Sequence, residues 1–382
     1  MHEAQAVDPT TMLRVLRALA QSPGLTRAQI AGRVGSSRPT VSAALRLLED
    51  RGFLEQRIAS DAAERRTGRP PMRVFLAGSA ASSVGLEITR TELHAGVFDI
   101  SGRVLAELRT PLRGAVPLDD AAALVRELVH ETSGATAYVL GVGVAVAAPV
   151  DRDGRVVDDV VPDGWDGVDL ARELAERLAL PVAVENDANA AALAEHRFGA
   201  GRHCSELLYL RLSPGVGAGL ILGDRLYRGA HGIAGELGHV TVDPAGALCS
   251  CGSRGCLETI AGTLALEDEL RGVRRGVTLA ERDDRHVRRL LADAGLAIGA
   301  AIATAVNLLD PARVVVGGEL ADAGPVLFDA IDQGLARDAL VPALARTEVV
   351  AGTVGPRAPV LGAASALMTR ELEALVNPAS VL

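Results

Sequence analysis

The sequence predicts an α/β protein in two parts: a helical N-terminal head and a larger body in which strand pairs precede helices. The chain has 382 residues, which is too long for one hydrophobic core and enough for two or three domains. It is 48% hydrophobic with 41 glycines but only 2% aromatic, so Ala, Val and Leu must fill its interior. Near Ala81 helical spacing gives way to alternating strand patterns, which marks the boundary between the two parts.

Charge separates the same two parts. The chain contains no lysine, so all 39 of its Lys+Arg residues are arginines. Residues 1–78 carry twelve arginines and seven acids, a net charge of +5, and because the whole chain carries −9 the remainder carries −14. A basic head on an acidic body is typical of a nucleic-acid-binding module joined to a domain with another task.

Three helices are predicted in the head. Residues 11–23 place apolar side chains at helical spacing, with arginines on the opposite face. Thr26 is a predicted N-cap for a short second helix. Ser36 or Ser37 caps a longer third helix that continues to about Asp50. A short helix, a tight turn and a longer helix form the helix-turn-helix pattern, in which the start of the last helix enters the major groove.

A predicted wing follows the third helix. FLEQRI and MRVFLA are predicted strands, and they flank the arginine-rich stretch 59–71. An extended Gly-Arg-Pro in that stretch is suited to a narrow A/T minor groove. The predicted DNA-contacting residues are Ser37, Arg38, Thr40, Ser42 and Arg69. The alternative for the head is a three-helix protein-interaction module, but the arginine excess favours DNA.

The body alternates strands with helices. The predicted elements are a strand pair over 83–105, a buried strand over 138–151, a strand leading into a helix over 180–199, a strand, glycine loop and strand over 207–229, and a helix of small residues followed by a strand over 291–320. Apolar runs such as 138–150 are shorter than about 20 residues and broken by glycine, so we expect no membrane span. The N-terminus shows no secretory signal pattern, and we expect a cytoplasmic protein.

The stretch GELGHVTVDPAGALCSCGSRGCLE, residues 235–258, concentrates the metal-binding chemistry of the chain. One histidine and three cysteines form a four-ligand set for a tetrahedral structural zinc ion, and thiolates prefer Zn²⁺ to hard cations. The predicted ligands are His239, Cys249, Cys251 and Cys256. The alternative is a disulfide with spare thiols. Glu236 and Glu258 flank the ligands, so a bound metal would hold two carboxylates around a polyol site.

GE-x-GH followed by C-x-CG-x-x-GC-x-E resembles the signature of the ROK family, a bacterial group of sugar kinases and sugar-responsive repressors. This resemblance implies a two-lobed, actin-like (ribonuclease H-like) sugar kinase fold from about residue 81 to the end. The head resembles the winged helix that ROK repressors carry. The predicted domains are therefore a winged helix-turn-helix over 1–78 and a sugar-sensing body of two lobes over 79–382.

The resemblance also implies roles for site residues. In the family, the residues that match the four ligands bind zinc, and those that match Glu236, His239 and Glu258 contact the sugar. Asn186 and Asp187 close a predicted strand at its carboxyl end, where α/β folds bind ligands. In ROK kinases the matching Asp is the catalytic base and the matching Asn binds a neighbouring hydroxyl. The alternative for Asp187 is a helix cap, and the predicted sugar-binding set is Asn186, Asp187, Glu236, His239 and Glu258.

The nucleotide half departs from the kinase pattern. ROK kinases begin this domain with D-x-GGTK, and the aligned residues here are Glu87, Thr89, Arg90, Thr91 and Glu92. Both glycines are absent, and a carboxylate replaces the lysine where an anionic phosphate would lie. The second phosphate loop, G-T-G in kinases, is Ser213-Pro214-Gly215 here, and proline removes a backbone donor.

We therefore expect a transcriptional regulator, a repressor of carbohydrate uptake or metabolism genes. Its zinc-containing body would bind a sugar or sugar phosphate without phosphorylating it. The expected partners are a double-stranded DNA operator, the sugar, and further copies of the chain in a homodimer or homotetramer. Two alternatives stay open: an ATP-dependent hexose kinase with an accessory DNA-binding head, and a regulator whose effector site is inactive and which responds to a protein partner.

Overall fold

The computed structural model of the chain describes residues 9–22, 24–58, 72–112, 117–157, 168–273, 278–279 and 283–376. The arginine-rich stretch 59–71, and Arg69 with it, lies outside these residues.

The head combines helices with a small antiparallel sheet of strand order β1-β3-β2. Its elements are α1 (Pro9–Gln21), β1 (Leu25–Thr26), α2 (Arg27–Val34), α3 (Arg38–Asp50), β2 (Leu54–Ile58) and β3 (Met72–Leu76). The predicted caps are confirmed: Thr26 and Gln29 form a reciprocal capping box on α2, and the Ser37 side chain accepts from the Thr40 N–H on α3. The three predicted helices and the two predicted strands on either side of residues 59–71 are thus confirmed.

The first lobe is a five-stranded sheet of order β6-β5-β4-β7-β8 with helices on both faces. Its elements are β4 (Ser82–Ile88), β5 (Glu92–Asp99), β6 (Val104–Pro111), α4 (Leu118–Glu131), β7 (Val139–Val146), α5 (Leu170–Leu178), β8 (Val182–Asn186) and α6 (Asp187–Phe198). Strands β4 to β6 pair antiparallel, whereas β7 and β8 are added in parallel.

The second lobe repeats this topology with the order β11-β10-β9-β12-β13. Its elements are β9 (Glu206–Leu212), β10 (Val216–Leu222), β11 (Arg225–Leu226), α7 (Glu258–Ala261), α8 (Thr263–Val273), α9 (Arg285–Leu309), β12 (Arg313–Gly317), α10 (Pro325–Asp338), α11 (Val341–Leu344), β13 (Glu348–Ala351) and α12 (Ala358–Val376). Antiparallel strands again precede two parallel ones, so the predicted repetition of strand pairs and helices is confirmed.

Helices α6 and α12 lie between the two sheets. Their contact surfaces consist largely of alanine, which explains how an interior with 2% aromatic residues is closely packed. The two helix backbones touch: a Cβ at Gly362 of α12 would lie 1.7 Å from the Ala190 carbonyl oxygen of α6. Only glycine allows this approach.

Among the described residues, helix α9 is long and apolar enough to span a membrane by length and composition. Its apolar side chains pack into the core of the second lobe, against the sheet and α10. A buried core helix passes the same test of length and hydropathy.

The core of the head continues into the body. Met368 and Leu372, near the end of α12, are 3% and 5% exposed, belong to the same apolar cluster as the core of the head, and lie on the helix that contacts α1. Ile100, which follows β5, joins the same cluster. Beside this junction lies a cavity of about 1100 Å³, which the head and both lobes line. The head is therefore docked on the body through the last turns of α12.

We expect Leu372→Ala to lower the free energy of unfolding by about 2–5 kcal/mol, because it opens a cavity where head and body share a core. Leu308→Ala is the matched control, since Leu308 is 77% exposed; it should cost less than about 0.5 kcal/mol. Urea unfolding of both variants measures the difference. Equal stabilities would contradict the shared core.

Candidate functional site

Asn186 and Asp187 lie where β8 passes into α6, at the edge of the cleft between the lobes. Asn186 is the N-cap: its Oδ1 accepts from the Asn189 N–H (3.0 Å), and its Nδ2 donates to the Ala148 carbonyl (3.1 Å). The capping role that was the alternative for Asp187 therefore belongs to its neighbour. Asp187 is the first residue of the helix.

The Asp187 carboxylate is buried, 9% exposed. Burial raises its pKa, and the charge of Arg211, whose Nε lies 3.4 Å from Oδ2, opposes that rise. Its Oδ1 accepts from the Ala188 N–H at 2.7 Å. The carboxylate is thus held in one orientation by a backbone donor and by a cation.

Glu236 interacts electrostatically with two other carboxylates, those of Asp187 and Glu258. Burial raises the pKa of Glu236, and the negative charges of Asp187 and Glu258 raise it further, against the opposing charge of His239. Glu258 begins α7, and its Oε2 accepts from the Val216 N–H (3.0 Å) at the start of β10. The fold therefore brings together acids from three separate segments of the chain, which form a set of hydrogen-bond acceptors.

His239 connects these acids to the cysteines. It ends a 3₁₀ turn, Leu237–His239; its Nε2 lies 3.8 Å from Glu236 Oε2, and its Nδ1 lies 3.6 Å from Cys249 Sγ. One ring nitrogen thus faces the acids while the other faces the thiols.

The His239, Cys249, Cys251 and Cys256 ligand atoms all lie within 4.8 Å of one another. A tetrahedral zinc ion with Zn–S of about 2.3 Å and Zn–N of about 2.0–2.1 Å has S–S edges of about 3.8 Å and S–N edges of about 3.5 Å. The Cys251–Cys256 sulfur separation is 3.7 Å and the Cys249–His239 separation is 3.6 Å. The donor set therefore fits a metal ion, and 3.7 Å is too long for a disulfide of about 2.05 Å.

The turn between β4 and β5, where a kinase would hold phosphate, is closed by its own side chains. Thr89 Oγ1 accepts from the N–H groups of Thr91 (3.2 Å) and Glu92 (3.0 Å). The Glu92 carboxylate pairs with Arg109 at 2.8 Å. Backbone donors that a phosphate would need are thus already used.

The second phosphate loop is also occupied by internal bonds. The Ser213 N–H donates to the Gly215 carbonyl (3.0 Å), Pro214 has no N–H, and the Val216 N–H donates to Glu258. Both loops therefore favour the expectation that nucleotide binding has been lost.

Arg211 is a site residue that sequence reasoning missed. It lies on β9 of the second lobe, and its Nη2 donates to Glu87 Oε1 (2.8 Å) on β4 of the first lobe. Its Nε donates to Ser213 Oγ (3.2 Å) and lies near Asp187. The sequence feature that could have indicated this residue is a charged side chain inside the otherwise apolar run LLYLRL.

Four of the five predicted DNA-contacting residues lie at the start of α3, and the fifth, Arg69, lies outside the described residues. Arg38 is exposed, whereas Thr40 and Ser42 are half-buried. The Ser37 hydroxyl is used in the cap and lies 2.7 Å from Thr40 Oγ1. The sequence reasoning missed Arg46, which is exposed on the same side of α3. It lies about one turn beyond Ser42 and about two turns beyond Arg38. The head thus presents two arginines on one exposed helix face.

The sugar-site acids do not line the cavity beside the head. We place the candidate site at the acids, because carboxylates, His239 and the metal ligands converge there, whereas the cavity follows from how the head docks.

Comparison with known proteins identifies the family. Residues 83–370 match the ROK family and residues 9–66 match the MarR family, so the chain belongs to the ROK family. It is 25% identical over 369 residues to the xylose repressor of Bacillus subtilis, covering 94% of this chain and 95% of the repressor. It is 31% identical over 319 residues to a glucokinase of Streptomyces coelicolor, covering 74% of this chain and 96% of the kinase.

A solved ROK family transcriptional regulator, a homologue of the E. coli MLC protein, has the same fold, with a TM-score of 0.80 and 23% identity over 96% of this chain and 98% of that one. The chain is thus a winged helix-turn-helix head joined to a two-lobed, actin-like ROK body. The repressor match includes the head, whereas the kinase match leaves about a quarter of this chain unmatched.

We expect Gly255→Ala to disrupt the cysteine loop, because Gly255 has φ +63° and a Cβ there would lie 1.5 Å from the Asp243 carbonyl oxygen. Gly252→Ala is the matched control: Gly252 also has a positive φ (+88°), but its Cβ would meet open space. Elemental analysis should show bound metal lost in the first variant and retained in the second. Retention in both would contradict the loop geometry.

Proposed function

We propose that this protein is a sugar-responsive transcriptional repressor that senses its effector without catalysis. The observation that carries the proposal is the contrast within one cleft: the acids of the sugar half converge, while the nucleotide half is filled by internal hydrogen bonds and by Arg211. The head supplies a capped recognition helix, and the xylose repressor resembles the chain over nearly its whole length.

The effector site is suited to a polyol. Asp187, Glu236 and Glu258 are acceptors that hydroxyl groups can donate to, and their mutual repulsion is relieved when each accepts a hydrogen bond. Asn186 keeps donor capacity on Nδ2 beside them, and His239 offers Nε2. A sugar or a sugar phosphate is the proposed effector, with its hydroxyls at the acids.

The proposed cofactor is one structural zinc ion per chain, held by His239 and the three cysteines. Three thiolates and one imidazole are the donors that zinc prefers, and the ligand separations support tetrahedral geometry. By binding Nδ1, the metal would fix the His239 ring with Nε2 directed at Glu236.

The alternative function is an ATP-dependent sugar kinase, and the similarity to the glucokinase is the observation that supports it. The closed Thr89 turn, Pro214 and the Arg211 ion pairs all oppose nucleotide binding. These observations favour the non-catalytic function.

A rigid connection between the site and the head supports effector control of DNA binding. Helix α6 starts at Asp187 and has 12 residues, so it extends about 18 Å from the site. Near its end, Arg197 Nη1 donates to Ser365 Oγ (2.5 Å) and Thr369 Oγ1 (3.0 Å) of α12, which carries the side chains that complete the head core. Effector binding would shift the equilibrium between two arrangements of these helices and of the head that α12 carries.

The proposed partners are a double-stranded operator and further copies of the chain. Each chain offers one recognition helix, so a homodimer on an inverted repeat, or a tetramer built from such dimers, suits the head. We propose that the protein is cytoplasmic, because it acts on a DNA operator.

We expect Arg38→Ala to weaken operator binding and to relax specificity at the base it reads, at a cost of about 1–3 kcal/mol, because a bidentate arginine–guanine contact is lost. Arg51→Ala removes the same charge from the far end of α3 and is the control; it should lower affinity slightly and equally for all sequences. Binding to operator variants measures both effects. Equal behaviour of the two variants would exclude α3 as the reading helix.

We expect Asp187→Ala to lower effector affinity by one to two decades, since removal of a charged acceptor costs about 1.5–3 kcal/mol. Operator binding should persist and lose its response to the sugar. Asp120→Ala, on an exposed face of α4, is the control and should change neither. Calorimetry with a panel of sugars, with and without ATP, measures the affinities.

The kinase rival is tested in the same samples. A coupled assay with the sugar that alters DNA binding should detect no ATP turnover in the wild type. Sugar-dependent turnover that Asp187→Ala abolishes would mean that the protein is an enzyme.

A further inference from the structure

Arg211 bridges the two lobes at the floor of the cleft. Its Nη2 lies 2.8 Å from Glu87 Oε1, and its Nε lies 3.4 Å from Asp187 Oδ2. Glu87 belongs to the sheet of the first lobe, Arg211 to the sheet of the second, and Asp187 to the helix between them. We call these three residues the Arg211 bridge.

The charges of the bridge depend on one another. Burial works against ionisation of Glu87, but the neighbouring His94 side chain and the charge of Arg211 outweigh it and lower the pKa of Glu87. Burial likewise disfavours the Arg211 cation, and the charges of Asp187 and Glu87 outweigh it and raise its pKa. A buried carboxylate without such a partner would be protonated. Arg211 thus helps to lower the pKa of Glu87 and limits the rise that burial causes in the pKa of Asp187.

A second side chain, that of His94, also lies beside Glu87. His94, fully buried, has Nδ1 at 3.7 Å from Glu87 and Nε2 at 2.6 Å from Glu107. Glu107 in turn pairs with Arg357 (2.8 Å), the residue before α12. A continuous row of polar groups thus runs from the candidate site to the residue before α12. Its members are Arg211, Glu87, His94, Glu107 and Arg357.

Two neighbouring carboxylates are typical ligands of a divalent cation, which prefers oxygen donors. Here the guanidinium already lies against both. Its Nη1 is buried without a hydrogen-bond partner among the described residues, so the two N–H groups of this nitrogen can donate to ligand oxygens.

We propose that Arg211 is a built-in cation that takes the place of a divalent metal ion between Glu87 and Asp187. It positions the Asp187 carboxylate and ties the lobes together in the effector-binding arrangement, so no metal–nucleotide complex is needed. The link to effector binding rests on the proposed function, whereas the ion replacement does not.

The test removes the Arg211 cation by mutation and then adds a divalent metal ion. Arg211→Ala leaves two facing carboxylates, and we expect this variant to bind about one additional Mn²⁺ per chain, on the order of tenfold or more tightly than the wild type. Mn²⁺ is the probe because it prefers carboxylates to the thiolates of the cysteine cluster. Electron paramagnetic resonance of free Mn²⁺, without sugar or DNA, counts the bound ion.

Two variants serve as controls. Glu87→Gln added to Arg211→Ala removes one of the two ligands and should abolish the gain. Arg211→Lys keeps a positive charge between the acids and should show no gain. If Arg211→Ala does not fold, as judged by its thermal transition, Arg211→Gln, which removes the charge but keeps the first three side-chain carbons, takes its place. A folded variant that binds no additional Mn²⁺, or a gain that survives Glu87→Gln, overturns the proposal.

Effector binding is measured as a separate arm. Arg211→Ala should bind the sugar weakly in a chelator, and Mn²⁺ should restore its affinity and raise its melting temperature. A simple packing defect would not be rescued by a metal ion. A wild type that binds no sugar would count against the proposed function and leave the Mn²⁺ result to stand alone, while absence of rescue in a variant that does bind Mn²⁺ would remove the positioning role.

Discussion

The contact between α6 and α12 is the constraint on which the rest of the structure depends. The two helices fill the space between the sheets, and their backbones touch at Gly362 and Ala190. Small side chains allow this approach, and tight packing leaves the pair little freedom to slide independently. Since α6 begins at the candidate site and α12 ends in the core of the head, this contact fixes the geometry of both ends.

Charge placement decides what the cleft can do. A fold shared with kinases needs cationic or backbone donors for phosphate on one side and acceptors for hydroxyls on the other. In this chain the acceptors are present, while the donors are used by Thr89 and Glu258 and the cationic position is taken by Arg211. This distribution of charge supports the proposed binding of a polyol in the cleft.

The docking of the head on α12 connects the candidate site to the DNA-binding module. Met368 and Leu372 bury themselves in the head, so the DNA-binding module does not complete its own core. The contact is apolar, and a displacement of the α6–α12 pair would change it. The cavity beside the junction leaves room for such movement.

The sequence alone was sufficient for the parts whose signals are local. Caps at Thr26 and Ser37, the strand pairs and the C-x-C-x4-C motif depend on near neighbours, and each predicted the element that the structure has. The tertiary structure decided what depends on distant segments. Arg211 and Glu87 are 124 residues apart, and no local pattern indicates that they meet. Helix α12 was likewise not predicted, and its role as the link to the head appears only when the layers are assembled, because burial of Leu372 is a property of packing between remote parts of the chain.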